Sequence, residues 1–252
     1  MWRVNVPILV FHPIIFTNFA SKFIISNMKI GIIVAMSKEL ALLRPILNST
    51  DTTVVNGLQF LHGSVANHQV VALQCGIGKV NAAIGTVTMI EHFAPDCIIN
   101  TGVAGGADKQ VSIMDIVVGE KVAYHDVWCG PECEIGVVQG LPPYFCASKS
   151  IIEKMPKSPL LKYGLIVSGD QFVESIQKVE KIKENFPDAF AIDMESGAIA
   201  QVCELMKVPF LSMRVVSDSP GASHNSMIQY QNFWEDAPVH TLKIVEQLLH
   251  NL

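Results

Sequence analysis

The sequence predicts an α/β fold, a single three-layer domain with a mixed, largely parallel twisted sheet flanked by helices. Three observations predict it. From residue 28 onward, short apolar runs of strand length alternate with segments of helical period, the pattern of a parallel sheet covered on both faces. Two turn signals, Asn56-Gly57 and Ala66-Asn67, separate β-like runs and add antiparallel strands. No Pro/Ser linker, low-complexity run or internal repeat divides the chain after residue 28.

The elements follow in order. Lys29–Ala35 is a continuous apolar run suited to a buried first strand. A helix is expected over 37–47, where Leu40, Leu43 and Ile46 share a face. Strands at 52–55, 58–65 and 68–74 lead to a helix near 79–93 and a strand at 97–100. Another strand runs from 115 to about 124, and a long loop rich in Gly and Pro spans 126–147. Then come helix 148–156, strand 163–167, helix 175–185, strand 189–193, helix 195–206, strand 209–216 and a final helix near 227–250.

Residues 1–27 differ from the rest. Val6–Phe16 is almost wholly apolar, but eleven residues are too few for a membrane-spanning helix, which needs about 20. No A-x-A-like cleavage site follows. Met28 opens the first strand, so residues 1–27 are expected to be an apolar extension outside the functional domain, which is 28–252, with a cleaved or targeting segment and a structural arm as the alternatives.

Composition excludes several classes. The chain has 252 residues, 50% hydrophobic and 16% charged, a net charge of -5 and only three arginines. Disorder is excluded, and nucleic acid or an anionic membrane surface is not an expected partner. A chain this long can bury roughly three quarters of its unfolded surface without disulfides. The six scattered cysteines therefore suggest a reducing, cytoplasmic location. Cys129, Cys133 and Cys146, with His125 nearby, lack the second Cys pair of a usual zinc site. They are read as free thiols, and no metal or cofactor is expected.

In open α/β sheets, ligands bind beyond the carboxyl ends of the strands. Those ends carry Met36-Ser37-Lys38-Glu39, Cys75-Gly76-Ile77-Gly78-Lys79, Thr101-Gly102-Val103-Ala104-Gly105-Gly106, Ser168-Gly169-Asp170-Gln171-Phe172, Asp193-Met194-Glu195 and Arg214 with Ser217-Asp218. Carboxylates, glycines and the only arginine inside a strand thus share one edge, which points to catalysis. The Gly76–Lys79 segment is neither a P-loop, since Leu73 and Val80 occupy its Gly and Ser/Thr positions, nor a dinucleotide fingerprint, which would need glycine at Asn81. Taken alone, Phe172 and Met194 read as core residues and His224 as a surface or hydrogen-bonding one.

In their order along the chain, Lys29–Met36 with Glu39, Cys75–Val80, Ile98–Gly106, Tyr124-His125-Asp126, Gly164–Phe172, Ala191–Glu195 and Arg214–Asp218 resemble the 5′-methylthioadenosine/S-adenosylhomocysteine nucleosidases. These belong to the purine nucleoside phosphorylase superfamily. The resemblance covers nearly all of 28–252, and 126–147 and the region after 218 diverge most. It implies a nucleoside phosphorylase-like fold and hydrolysis of the N-glycosidic bond of a 5′-thio adenine nucleoside.

The resemblance also implies roles. Asp218 matches the general acid at purine N7, Glu39 the carboxylate that deprotonates water, and Glu195 the residue that binds the ribose hydroxyls and stabilises the oxocarbenium-like transition state. Arg214 would orient Glu195 and the water. Phe172 would stack on adenine beside the backbone of Val173, and Ser217 adjoins the acid. Met36, Ile77, Met194 and Tyr230 would line the ribose and alkylthio pocket. Val103 stands where many members keep a serine, which removes one hydroxyl near the water. A small-molecule purine nucleoside is the expected partner, and the resemblance implies a homodimer in which 126–147 closes the neighbouring pocket.

Phosphorolysis needs a cationic cradle, whereas the first loop here offers the anion Glu39, so water is the expected nucleophile. The rivals are a hydrolase of another purine nucleoside such as futalosine, a phosphorylase, and an inactive nucleoside-binding protein.

Overall fold

The computed structural model describes residues 27–219, 228, 230, 233 and 238–252. Residues 1–26, His224 and much of the stretch expected to begin the last helix at 227 lie outside the described residues. The strands are β1 (Lys29–Val34), β2 (Asn48–Val55), β3 (Leu58–Val65), β4 (His68–Gln74), β5 (Cys97–Gly106), β6 (Ile116–Tyr124), β7 (Phe145–Cys146), β8 (Leu161–Ser168), β9 (Ala189–Asp193) and β10 (Phe210–Asp218). The helices are α1 (Ser37–Leu43), α2 (Lys79–Phe93), α3 (Lys149–Ile152), α4 (Ile176–Lys183), α5 (Ser196–Met206) and α6 (Pro238–Asn251).

All ten strands form one sheet in the order β10-β6-β8-β9-β5-β1-β4-β3-β2, with β7 on β6 and a further β10–β5 pairing. The sheet is parallel through β4, β1, β5 and β10 and again through β6, β8 and β9. The β2–β3–β4 hairpins supply the antiparallel edge, and Asn56 and Gly57 turn the first of them with φ of 51° and 78°. Because β5 pairs with both β10 and β9, strands β5, β9, β8, β6 and β10 close into a ring.

Alternation along each strand splits the core into two faces. Ile30, Ile32 and Val34 of β1 pack with Leu43 of α1, Ile151 of α3 and Val245 and Leu248 of α6. Ile33 faces the other way, among Met89 of α2 and Ala198 and Ile199 of α5. Val179 and Ile182 of α4 cover a third cluster on β8 and β9. Burying one such aliphatic side chain contributes about 1.5–3 kcal/mol, so these layers fix where the strand ends lie.

Four expectations need correction. The glycine-rich run Thr101–Gly106, expected beyond the end of the strand at 97–100, is the second half of β5, because β10 and β9 supply hydrogen-bonding partners along it. Likewise β10 extends through Ser217 and Asp218. The helix expected over 148–156 is only Lys149–Ile152, and β7 lies inside the segment expected to be all loop.

Candidate active site

All twelve site residues expected from the sequence line one cavity of about 200 Å³ at the carboxyl edge of the sheet. Its floor is polar and its walls are apolar.

Glu39 sits in the first turn of α1, where its Oε2 accepts hydrogen bonds from the backbone N–H of Ala35 (2.9 Å) and Met36 (2.8 Å). Its Oε1 accepts from Val103 N–H at 3.1 Å. The side chain therefore joins the end of β1 to the middle of β5. Burial raises its pKa above the ordinary 4.5, against the pull of Arg214 and the three N–H donors.

Arg214, on β10, is fully buried. Its Nη2 lies 2.7 Å from Asp193 Oδ2 and 3.5 Å from Glu195 Oε2. It also donates to Asn100 Oδ1 at 2.9 Å and, through Nε, to Ser196 Oγ at 3.2 Å. A buried guanidinium is tolerated only where such anionic and hydrogen-bonding partners offset its desolvation. Gly102 makes the approach possible: a Cβ there would collide with Arg214 Nη1 and stand 2.6 Å from Glu39 Oε1.

Glu195 follows β9 and accepts from Gly78 N–H at 3.0 Å. Burial pushes its carboxyl up to about 7, reinforced by the charges of Asp193 and Glu39 and opposed by Arg214 and the Gly78 N–H. Asp218 is aimed by a bulge: Val216 and Asp218 oppose the consecutive residues Ala104 and Gly105, leaving Ser217 as the extra residue. Ser217 Oγ donates to Asp218 Oδ1 at 2.8 Å. Asp218 Oδ2 is buried with no hydrogen-bond partner among the described residues, and burial pushes this carboxyl up to about 6.

The walls come from Met36, Ile77, Val103, Phe172, Val173, Met194 and Tyr230. Tyr230 donates its hydroxyl to Met36 Sδ at 3.1 Å and meets Phe172 edge-on, with centroids 6.2 Å apart. Val103 contributes its backbone N–H to Glu39 and its side chain to the wall.

Sequence reasoning missed the layer beneath. Asp193 Oδ2 accepts from Ser196 Oγ and from Ser196 N–H, while its Oδ1 accepts from Ser168 Oγ. Asn100 accepts from Ser196 and Ser212 and donates to Ile33 O. Two signals were present: Asp193 and Glu195 are two apart at a strand end, and Asn100 interrupts an otherwise apolar strand.

The class that matches this fold and cavity is the phosphorylase superfamily, whose family model covers residues 29–250. A 5′-methylthioadenosine/S-adenosylhomocysteine nucleosidase of Staphylococcus aureus is 40% identical over 229 residues, which is 88% of this chain and 100% of that one. The structure of a nucleosidase of the same description from S. pneumoniae, with the transition-state inhibitor MT-ImmA, superposes with a TM-score of 0.83. It is 36% identical, with 88% of this chain and 98% of that one covered. The enzyme from Neisseria meningitidis, in complex with methylthio-immucillin-A, gives a TM-score of 0.85 at 35% identity, covering 89% and 100%. The chain belongs to the 5′-methylthioadenosine/S-adenosylhomocysteine nucleosidase family, within the phosphorylase superfamily.

Proposed function

We propose that this chain hydrolyses the N-glycosidic bond of 5′-methylthioadenosine and S-adenosylhomocysteine, releasing adenine and the corresponding thioribose. One observation carries the reading. Three carboxylates from separate strand ends, Glu39, Glu195 and Asp218, line an apolar cavity in which Arg214, the sole cation among the described lining residues, is already engaged by Asp193.

Asp218, whose raised pKa keeps a proton on a fraction of molecules near neutral pH, gives that proton to purine N7 as the C1′–N9 bond breaks. The bonding electrons pass into the base, and adenine leaves neutral. Glu195, as carboxylate, holds the ribose hydroxyls and faces the positive charge growing on the sugar. Glu39 takes a proton from the water whose oxygen bonds C1′; its raised pKa suits it as an acceptor. Arg214 orients Glu195, and Phe172 and Val173 hold the base. Met36, Ile77, Met194 and Tyr230 receive the sugar and the 5′ thioether, whose apolar character fits these walls.

We also infer a homodimer that covers the cavity mouth. Val80 and Ile84, one turn apart on α2, are 69% and 53% exposed, Ile77 is 53% exposed and Trp128 is 64% exposed, an apolar set that a partner surface would cover. All six cysteines are free thiols, which supports a reducing, cytoplasmic setting. No helix among the described residues is long and apolar enough to cross a membrane.

Adenine release from 5′-methylthioadenosine, with and without phosphate, tests the reaction. Release independent of phosphate is the expected result. Dependence on phosphate would make this a phosphorylase, and silence in both would shift the reading to another nucleoside such as futalosine or to a binding protein.

A further inference from the structure

We propose that Asp170 is a positioning residue: with Lys79 and Asp126 it closes a hydrogen-bonded ring that fixes the turn at Gly78, whose N–H holds Glu195. This rests on the reading of Glu195 as the ribose-binding carboxylate.

The ring is complete. Asp170 Oδ1 accepts from Lys79 N–H at 2.8 Å, and Asp126 Oδ2 accepts from Asp170 N–H at 2.8 Å. Both Asp126 oxygens accept from Lys79 Nζ at 2.8 Å. The same ammonium stands 4.0 Å from Asp170 Oδ2 and 5.4 Å from the centroid of the Tyr124 ring. The three residues come from different places: the start of α2, the segment after β6 and the segment after β8.

Each end of the ring adjoins the cavity. The residue before Lys79 is Gly78, with φ of +94°, donating to Glu195 at 3.0 Å. A Cβ at Gly78 would stand 3.1 Å from Asp170 Oδ1, so carboxylate and turn are packed against each other. Gln171, Phe172 and Val173 line the cavity directly after Asp170. The ring therefore ties the wall that takes the base to the N–H that steadies the ribose carboxylate. Solvent-exposed ion pairs contribute little to stability, and Lys79 and Asp126 are still 24% and 18% exposed. The ring's contribution accordingly lies in geometry more than in global stability. Asp170 also puts a negative charge at the N-terminus of the 15-residue α2.

The test compares Asp170→Ala with Asp170→Asn, whose amide oxygen can still accept from Lys79 N–H. Glu195 is also faced by Arg214, Asp193, Glu39 and Cys75, none of them a member of the ring. Loosening the Gly78 N–H raises the pH at which Glu195 becomes a carboxylate. Asp170→Ala is therefore expected to lose roughly tenfold in kcat/KM at about pH 6, the scale of one charge-assisted hydrogen bond. The deficit should shrink toward about pH 9, where Glu195 ionises regardless. Amide exchange at Gly78 and Lys79 should quicken, and Asp170→Asn should keep most of the activity and protection. A wild-type profile in Asp170→Ala, a loss uniform in pH, or equal impairment of both variants overturns the proposal. Should the wild-type chain itself release no adenine, the proposed reaction fails instead, and the ring is judged by amide exchange alone: unchanged exchange in Asp170→Ala overturns it.

Discussion

Arg214 and Glu195 meet at 3.5 Å, a looser contact than the 2.7 Å between Arg214 and Asp193. One buried cation thus serves two carboxylates from the same strand end, and its closer partner is the one embedded in the serine network. Asp193 is the nearer counterion of Arg214 and, by repulsion, raises the pKa of Glu195.

Replacing Asp193 by Asn removes that repulsion and leaves Glu195 and Glu39 as the carboxylates facing Arg214. The Glu195 pKa should fall, so the acid flank of kcat/KM moves to lower pH. The variant should also lose about 3 kcal/mol of stability, because one partner of a buried pair is gone. Denaturant melts and a pH profile measured together check both effects; an unmoved flank would refute the assignment of Asp193 as counterion.

Asp218→Asn should lower turnover at least about a hundredfold, since a proton-transfer group is lost. Its effect on stability should be opposite. The folded carboxyl titrates near 6, above its ordinary 3.8. A raised folded pKa stabilises at pH below 3.8, and that contribution is lost as pH rises through 6. At about pH 8 the buried anion therefore costs on the order of 3 kcal/mol relative to its protonated form. The amide of the Asp218→Asn variant carries no such charge, so the variant should melt higher than wild type at pH 8 and show a smaller difference at pH 4. Equal melting shifts at both values would contradict the burial argument.

With Glu195 near 7 and Asp218 near 6, the free enzyme needs an ionised Glu195 and a protonated Asp218 at once. The profile of kcat/KM should be bell-shaped with bends near these values. Glu195→Gln should lower turnover at least about a hundredfold and abolish one bend. A flat profile from pH 5 to 9 would exclude this pair as the acid and the ribose carboxylate.

Gly102→Ala inserts a methyl group between Arg214 and Glu39. Overpacking of this kind typically costs about 1–3 kcal/mol. Displacement of the Glu39 carboxylate should cost roughly a hundredfold in turnover while substrate-analogue binding changes far less. Calorimetric titration with a nucleoside analogue beside turnover measurements separates the two, and intact turnover would show that the side chains move aside freely.

A chain starting at Met28 should release adenine as fast as the full chain. Residues 29–250 match the superfamily model, and this 229-residue alignment spans a whole relative. A soluble but inactive truncation would assign the first 27 residues a role in the domain.

The strand-helix alternation, the hairpin turns and the clustering of Glu39, Glu195, Arg214 and Asp218 at strand ends were all legible in the sequence, because hydrophobic period and chain order set them. Asp193, Asn100 and Ser196 were not legible as a unit. Asn100 lies 96 residues from Ser196 and 112 from Ser212; the pairing of β5 with β10 sets Asn100 opposite Ser212, and the start of α5 brings Ser196 to both. The Thr101–Gly106 run reads as lying beyond its strand for the same reason, since glycines weaken a strand's local signal while partners on neighbouring strands extend β5 through it.

By itself, then, the sequence determined which residue types stand at the carboxyl ends of the strands, since local periodicity places each end. Tertiary structure alone decided which carboxylate Arg214 grips, how the bulge at Ser217 aims Asp218, and that Asp170 closes a ring behind Gly78. Those outcomes depend on contacts of a few ångströms between segments far apart in the chain, and only the closed sheet sets such distances.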